Sequence, residues 1–186
     1  PDGSIYDGSF KDGKHSGKGT LIFPDGSQYL GMWENGNFNG YGKLKYANGV
    51  YLEGNFLDGK LEGNATQTNP NGYFYKGDWS DGKKVGQASI TYAGGGNYVG
   101  QVLDGIRHGE GKLTLQDGTI MEGIFEAGSL TDQGKVLFVN GDQYSGEILM
   151  GKITGQGRKD YSSGAVYEGS FLNNQHHGYG IYNTSK

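Results

Sequence analysis

Large apolar and polar residues alternate along this chain in short segments, and the alternation resets every 23 residues. The frame is set by Tyr6, Tyr29, Leu52, Tyr75, Tyr98, Met121, Tyr144 and Tyr167. Counting each as position 1, position 5 is large and apolar as well: Phe10, Trp33, Phe56, Trp79, Val102, Phe125, Ile148 and Phe171. Position 3 is glycine in all eight copies, and glycine recurs at positions 8, 12, 14 and 21, so that 36 of the 38 glycines stand on five positions. A period of this length signals an array of supersecondary units. The copies are a stub at 1–5, full repeats at 6–28, 29–51, 52–74, 75–97, 98–120, 121–143 and 144–166, and a shortened one at 167–186, all in one array.

Each copy reads as a β-hairpin. Asp12-Gly13 and its equivalents interrupt an alternating pattern, and a two-residue type I′ turn needs φ > 0 at both central residues. A two-residue loop at positions 7 and 8 predicts that position 5 pairs with 10, 3 with 12, and 1 with 14. One face then carries positions 1, 3, 5, 10, 12, 14, 16 and 18, while lysine, threonine and glutamate dominate the other. A second turn, at Pro24-Asp25-Gly26 and its equivalents, must have an odd length to keep Tyr29 on the apolar face. A three-residue type I turn closed by glycine in the left-handed region suits it. Trp33 is then expected to lie flat over Gly17 and Gly19, covering glycine with a ring. The predicted fold is all-β: an elongated, single-layer antiparallel sheet of stacked hairpins, curved into an aromatic-lined groove.

Only 33% of the chain is hydrophobic, yet its 24 aromatics stand in register with the glycines, which argues against disorder. A net charge of −4 with mixed signs gives no basic footprint for nucleic acid. Cysteine is absent, which excludes a disulfide framework and thiolate metal sites. No apolar run has the length of a transmembrane helix or the form of a signal peptide.

The pattern Tyr-x-Gly-x-Trp/Phe-x-x-Gly-x-x-x-Gly-x-Gly with a later glycine resembles the MORN repeat over essentially the whole chain. Departures fall on Leu52, Met121, Val102, Ile148, Ala65, Ala88, Asp132 and Asn174, so copies three and six are the least regular, and weakened stacking is expected there. Gly3 suggests that further copies precede residue 1 in the parent protein. The resemblance implies an array without catalytic machinery or cofactor of its own, which recruits protein partners or self-associates; the alternatives are a peripheral module for phosphoinositide or phospholipid headgroups and a regulatory repeat region of a larger enzyme. A chain built only of repeats is most similar to the protist cytoskeletal scaffolds of this family, which implies a cytoplasmic setting at the cytoskeleton or the inner face of a membrane.

The candidate partner-binding residues are those that line the expected groove, where a peptide or helix would lie: Tyr6, Phe10, Tyr29, Trp33, Phe56, Tyr75, Trp79, Tyr98, Phe125, Tyr144, Tyr167 and Phe171. Exposed apolar strips mark interaction sites, and Trp and Tyr are favoured anchors. The last strand carries Tyr179, Ile181 and Tyr182 on both faces, which predicts a C-terminal homodimer contact. Lys14, Lys60, Lys83 and Lys152 share position 9 and form the alternative site, for phospholipid headgroups. Gly8–Lys14 and its equivalents approximate a phosphate-binding loop, but His15 replaces the required Ser or Thr and no helix follows. His15, His108, His176 and His177 read as turn-proximal surface residues, with His176 and His177 of two copies as the one arrangement that suits zinc. Asn64-Ala65-Thr66 and Asn183-Thr184-Ser185 fit the glycosylation pattern.

Overall fold

The computed structural model describes residues 2–184; Pro1 of the stub and Ser185 and Lys186 of the eighth copy, with the second glycosylation pattern, lie outside or run outside them. The described residues form sixteen strands and no helix. They divide into two compact units, up to Ala93 and from Gly94 onward. The first holds β1 (Ile5–Lys11), β2 (Lys14–Ile22), β3 (Gln28–Glu34), β4 (Asn37–Lys45), β5 (Tyr51–Leu57), β6 (Lys60–Thr68), β7 (Phe74–Ser80) and β8 (Lys83–Thr91). The second holds β9 (Asn97–Leu103), β10 (Ile106–Thr114), β11 (Ile120–Glu126), β12 (Ser129–Leu137), β13 (Gln143–Leu149), β14 (Lys152–Asp160), β15 (Val166–Leu172) and β16 (Gln175–Asn183). Within each unit the strands lie in chain order with antiparallel neighbours, so each is an open, single-layer sheet of hairpins.

Both turns follow the sequence. Asp12 (φ 49°) and Gly13 (φ 74°) occupy the positive-φ positions of a two-residue turn, and the same holds at every copy, including Asn173-Asn174 where the glycine is missing. At the other end, Phe23 donates its N–H to Ser27 O and accepts from Gly26 N–H, both at 2.9 Å, which leaves the three-residue loop Pro24-Asp25-Gly26. Asp25 Oδ1 accepts from Ser27 N–H at 2.8 Å and fixes the loop locally. Hairpins are also tied tip to tip, since Gly36 N–H donates to His15 O at 3.0 Å and Gly59 N–H to Phe38 O at 2.9 Å.

The register inside each hairpin differs from the expected one beyond position 5. Phe10 pairs with His15 as predicted, but Gly8 pairs with Gly19 and Tyr6 with Leu21, that is 3 with 14 and 1 with 16. All eight hairpins carry this irregularity. Its cause is position 12, which takes a left-handed conformation in every copy: φ is 67° at Gly17 and 60° even at Asp132. The second strand therefore bulges by two residues opposite position 4. A Cβ on Gly17 would meet only the Ser9 side chain, so position 12 belongs to the outer face and not the aromatic one. Between hairpins the ladder is regular, with Gly17 beside Trp33, Gly19 beside Gly31 and Leu21 beside Tyr29.

Candidate functional site

The aromatic face is a core. Tyr29, Tyr75 and Tyr98 have no exposed surface, and Tyr144, Trp33, Phe56, Trp79, Phe125, Tyr167 and Phe171 are buried too. The ring that covers the glycines is the hairpin's own opening tyrosine rather than the position-5 residue of the next. A Cβ added to Gly42 would lie 2.6 Å from Tyr29 Cζ, and one added to Gly157 equally close to Tyr144 Cζ. The tyrosine hydroxyl then donates to the carbonyl of position 4, the residue opposite the bulge: Tyr29 to Met32 O at 3.0 Å, Tyr98 to Gln101 O at 2.7 Å, Tyr144 to Glu147 O at 2.8 Å. Phenylalanine would leave that carbonyl unsatisfied, which costs about 1–2 kcal/mol. Trp33 instead turns its Nε1–H to Gly19 O at 3.2 Å and stands edge-on to Tyr29 at 5.3 Å.

Position 10 closes the face; alternation placed it there, but the sequence reading gave it no packing role. Phe38 stacks on Tyr29 at 3.7 Å, His15 on Tyr6 at 3.7 Å and His176 on Tyr167 at 3.6 Å. Where leucine or methionine opens the copy, a leucine from position 10 takes the ring's place: Leu61 and Leu130 reach over Gly54 and Gly123 and are themselves buried. Copies three and six are repacked and not loosened. Lys84 lies among the rings of Tyr73, Tyr75 and Trp79 (4.9, 4.7 and 5.3 Å) and donates to Tyr73 Oη at 3.1 Å. Burial pulls its ammonium below the usual lysine range. The legible signal was that position 10 is never small in any copy.

This arrangement corrects the expected half-open groove. Rings that are stacked from above and flanked on both sides offer no surface to a partner. Phe10 (62% exposed) and Tyr6 are the accessible members of the predicted set. His15 and His176 are packing residues and not turn residues. His176 Nε2 is engaged with Tyr161 Oη at 2.8 Å, and burial followed by the charge of Lys159 lowers the pKa of its ring. Among the described residues no three potential metal ligands cluster.

The outer face is where the repeats differ. In the first unit Leu30, Met32 and Tyr41 stand on β3 and β4, 43–51% exposed, around the floor of Gly31. With Lys18 and Lys43 they line a hollow of about 400 Å³. Tyr41 Oη and Lys43 both engage Glu53, the ion pair spanning 3.2 Å, while Lys18 stands beside Met32 on β2. The hollow is apolar at its base, with Lys18 and the Lys43–Glu53 pair at its rim. On its β2 side the backbone beneath it is paired, Lys18 with Met32 and Gly19 with Gly31, while on its β4 side Met32 faces the bulge. In the second unit the corresponding face carries ion pairs, Lys112 with Glu122 at 3.7 Å and Arg158 with Asp160 at 2.6 Å and with Glu168.

The position-9 lysines lie at the turn edge as expected, but acids alternate with them. Lys60 is ion-paired with Asp81 of the next turn, and Asp12 and Asp58 stand at the same edge. On β16, Tyr179, Ile181 and Tyr182 are 82%, 53% and 52% exposed. The phosphate-loop approximations fall on hairpin turns with no helix beside them. Asn64 is exposed on the outer face, with its amide toward Asp78 at 3.4 Å.

The MORN-repeat family model matches residues 6–28, 29–51, 53–72, 75–97, 98–120, 144–166 and 167–183. This chain belongs to the MORN-repeat family. The matched segments leave out 121–143 and shorten the third MORN copy, the two copies in which leucine replaces the tyrosine ring over the glycines. No significant match was found among curated proteins. Among solved structures, the CPAP G-box domain aligns with a TM-score of 0.59 at 16% identity, covering 100% of this chain and 96% of that one. The TCP10 domain of Danio rerio CPAP aligns with TM-scores of 0.51 for a mutant and 0.50 for the wild type, at 17% and 18% identity, covering 91% of this chain and 80% of each of those. At these identities the likeness is one of fold.

Proposed function

We propose that this MORN array is a non-enzymatic scaffold module that binds a protein partner on the outer face of its first two repeats. The observation that carries the reading is the hollow at Leu30, Gly31, Met32 and Tyr41, rimmed by Lys18 and Lys43. Apolar side chains left open on a sheet whose other face is already a complete core contribute nothing to folding, and such patches mark interaction sites. Lys18 at the rim favours a segment that sets an aliphatic side chain next to a carboxylate. A cytoskeletal setting belongs to the proposal, in keeping with the scaffolds of the family and with the CPAP G-box domain, whose structural study suggests a role in centriole elongation. Self-association through Tyr179, Ile181 and Tyr182 is a second part of it, supported by their exposure.

A photo-crosslinking residue at position 30, introduced into the chain and activated in native extract, tests the first part. The reading expects adducts that map to acidic-apolar protein segments and that disappear with Met32→Lys. Adducts that are lipid or nucleic acid, or that ignore the substitution, contradict it. For the second part, light scattering should show a dimer that Ile181→Lys converts to a monomer of 20.0 kDa; a monomer at every concentration refutes it.

A further inference from the structure

The turn that closes each hairpin demands positive φ at position 7, which asparagine and aspartate tolerate better than other side chains. Six copies obey. Two do not: Ala127 adopts φ 46° and Met150 φ 50°. Met150 is 77% exposed, so no packing offsets its strained backbone. A residue that breaks a local rule without folding benefit points to function.

Its surroundings share its character. Leu149 is 59% exposed beside it, Leu172 of the next turn is 47% exposed, and Leu103 and Ile106, two turns back, are each 54% exposed. Leu103 pairs with Ile106 across the end of its hairpin, and Leu149 and Leu172 occupy the same position in theirs. Strands alternate faces, and the pattern of β9 places Leu103 with Asn97, Val99 and Gln101, opposite buried Tyr98 and Val102. The leucines thus share the outer side of the turn row. The turn backbones are engaged with their neighbours, Gly128 N–H to Arg107 O at 3.1 Å and Gly151 N–H to Leu130 O at 2.8 Å. Recognition here must use side chains.

We propose that this row of turns is a docking edge for an amphipathic helix of a partner protein. Successive hairpins are two strands apart, about 9.6 Å. A helix advances about 10.5 Å in seven residues, so one lying along the row sets an apolar residue against each turn at heptad spacing. An extended segment does not fit, because at about 3.4 Å per residue a turn-to-turn step takes three residues and reverses the side chain. Exposed Glu126 interrupts the row between its two leucine-bearing neighbours, which calls for lysine or arginine on the helix flank and opposes an anionic membrane.

The test is selection of peptides from a displayed random library, about three heptads long, on the full chain, with Leu149→Lys/Met150→Asn as the comparison. The proposal expects peptides whose affinity falls about tenfold or more on that double variant, whose apolar residues recur every seven, and whose circular dichroism becomes helical on binding. Selected peptides that ignore the double variant, or sensitive ones that remain extended, overturn it. Met150→Asn alone should raise the thermal midpoint, since asparagine suits the turn; a fall shows that Met150 serves the fold and removes the strain argument. Self-association or sedimentation with phosphatidylcholine vesicles that the double variant abolishes identifies a second copy or a lipid surface as the occupant, and either result overturns the helix.

Discussion

The two units repeat one core and wear different surfaces. Tyr29 in the first and Tyr144 in the second both lie over a position-14 glycine and both donate to a position-4 carbonyl. At the turn edge they diverge: the first unit presents Lys11, Asp12, Lys14, Glu34, Asp58 and Lys60 with Leu57 as its exposed leucine, and the second presents Leu103, Ile106, Leu149, Met150 and Leu172 among Asp104, Glu126 and Lys152. On the outer face both units carry ion pairs, Lys43 with Glu53 in the first and Lys112 with Glu122 in the second, and the hollow at Leu30, Met32 and Tyr41 belongs to the first. The lattice fixes positions 1, 3, 5, 8, 12 and 14, because each has a backbone or packing duty. Side chains at positions 2, 4, 6, 9, 13 and 15 have none beyond solubility, and there the copies are free to specialise, whereas position 7 must hold a positive φ in every copy.

Seven substitutions and one titration probe this comparison. Gly42→Ala and Gly157→Ala drive a methyl into equivalent rigid rings, and each should cost about 2 kcal/mol in denaturant unfolding. A marked inequality would show that the two cores are not equivalent. High pH should come next. Burial pushes the Tyr29 and Tyr144 hydroxyls up to about 12, above the value near 10 expected in the unfolded chain. Their contribution is complete below pH 10 and is lost as pH rises toward 12. Tyrosinate absorbance should therefore include a fraction that appears only as circular dichroism is lost. Tyr29→Phe and Tyr144→Phe should each cost about 1–2 kcal/mol. Among the turns, Met150→Asn should stabilise and Asn35→Met destabilise, each by about 0.5–1 kcal/mol, as the same exchange run in opposite directions. Lys60→Ala should change stability by less than about 0.5 kcal/mol, because its partner Asp81 is exposed.

Much of the architecture was legible because turns are local. Asp12-Gly13 and Pro24-Asp25-Gly26 announce their geometry in two or three residues, and alternation then assigns the faces. The bulge was not legible, since glycine serves equally as a seat for a ring and as a left-handed residue. Gly17 and Gly19 look alike in sequence, yet one takes φ 67° on the outer face and the other lies under Tyr6. Gly17→Asn should accordingly be tolerated at about 1 kcal/mol, as Asp132 already is at the equivalent place. Closure of the aromatic face depended on position 10, whose members, from His15 through Lys84 to Leu130, share no chemistry but only reach. The outer hollow needed the bulge as well, because Met32 faces the bulged stretch that carries Tyr41.

The central claim is that the aromatic face is a closed core and that binding belongs to the outer surface and the turns. Its most direct test uses the two tryptophans, Trp33 and Trp79, which are 5% and 7% exposed on that face. Iodide quenching of their fluorescence in the folded chain should be several-fold weaker than in the denatured chain, and bound partner should leave it unchanged. Quenching as strong as in the denatured chain, or protection gained only when a partner is bound, would mean that the face is an open groove and contradict the account.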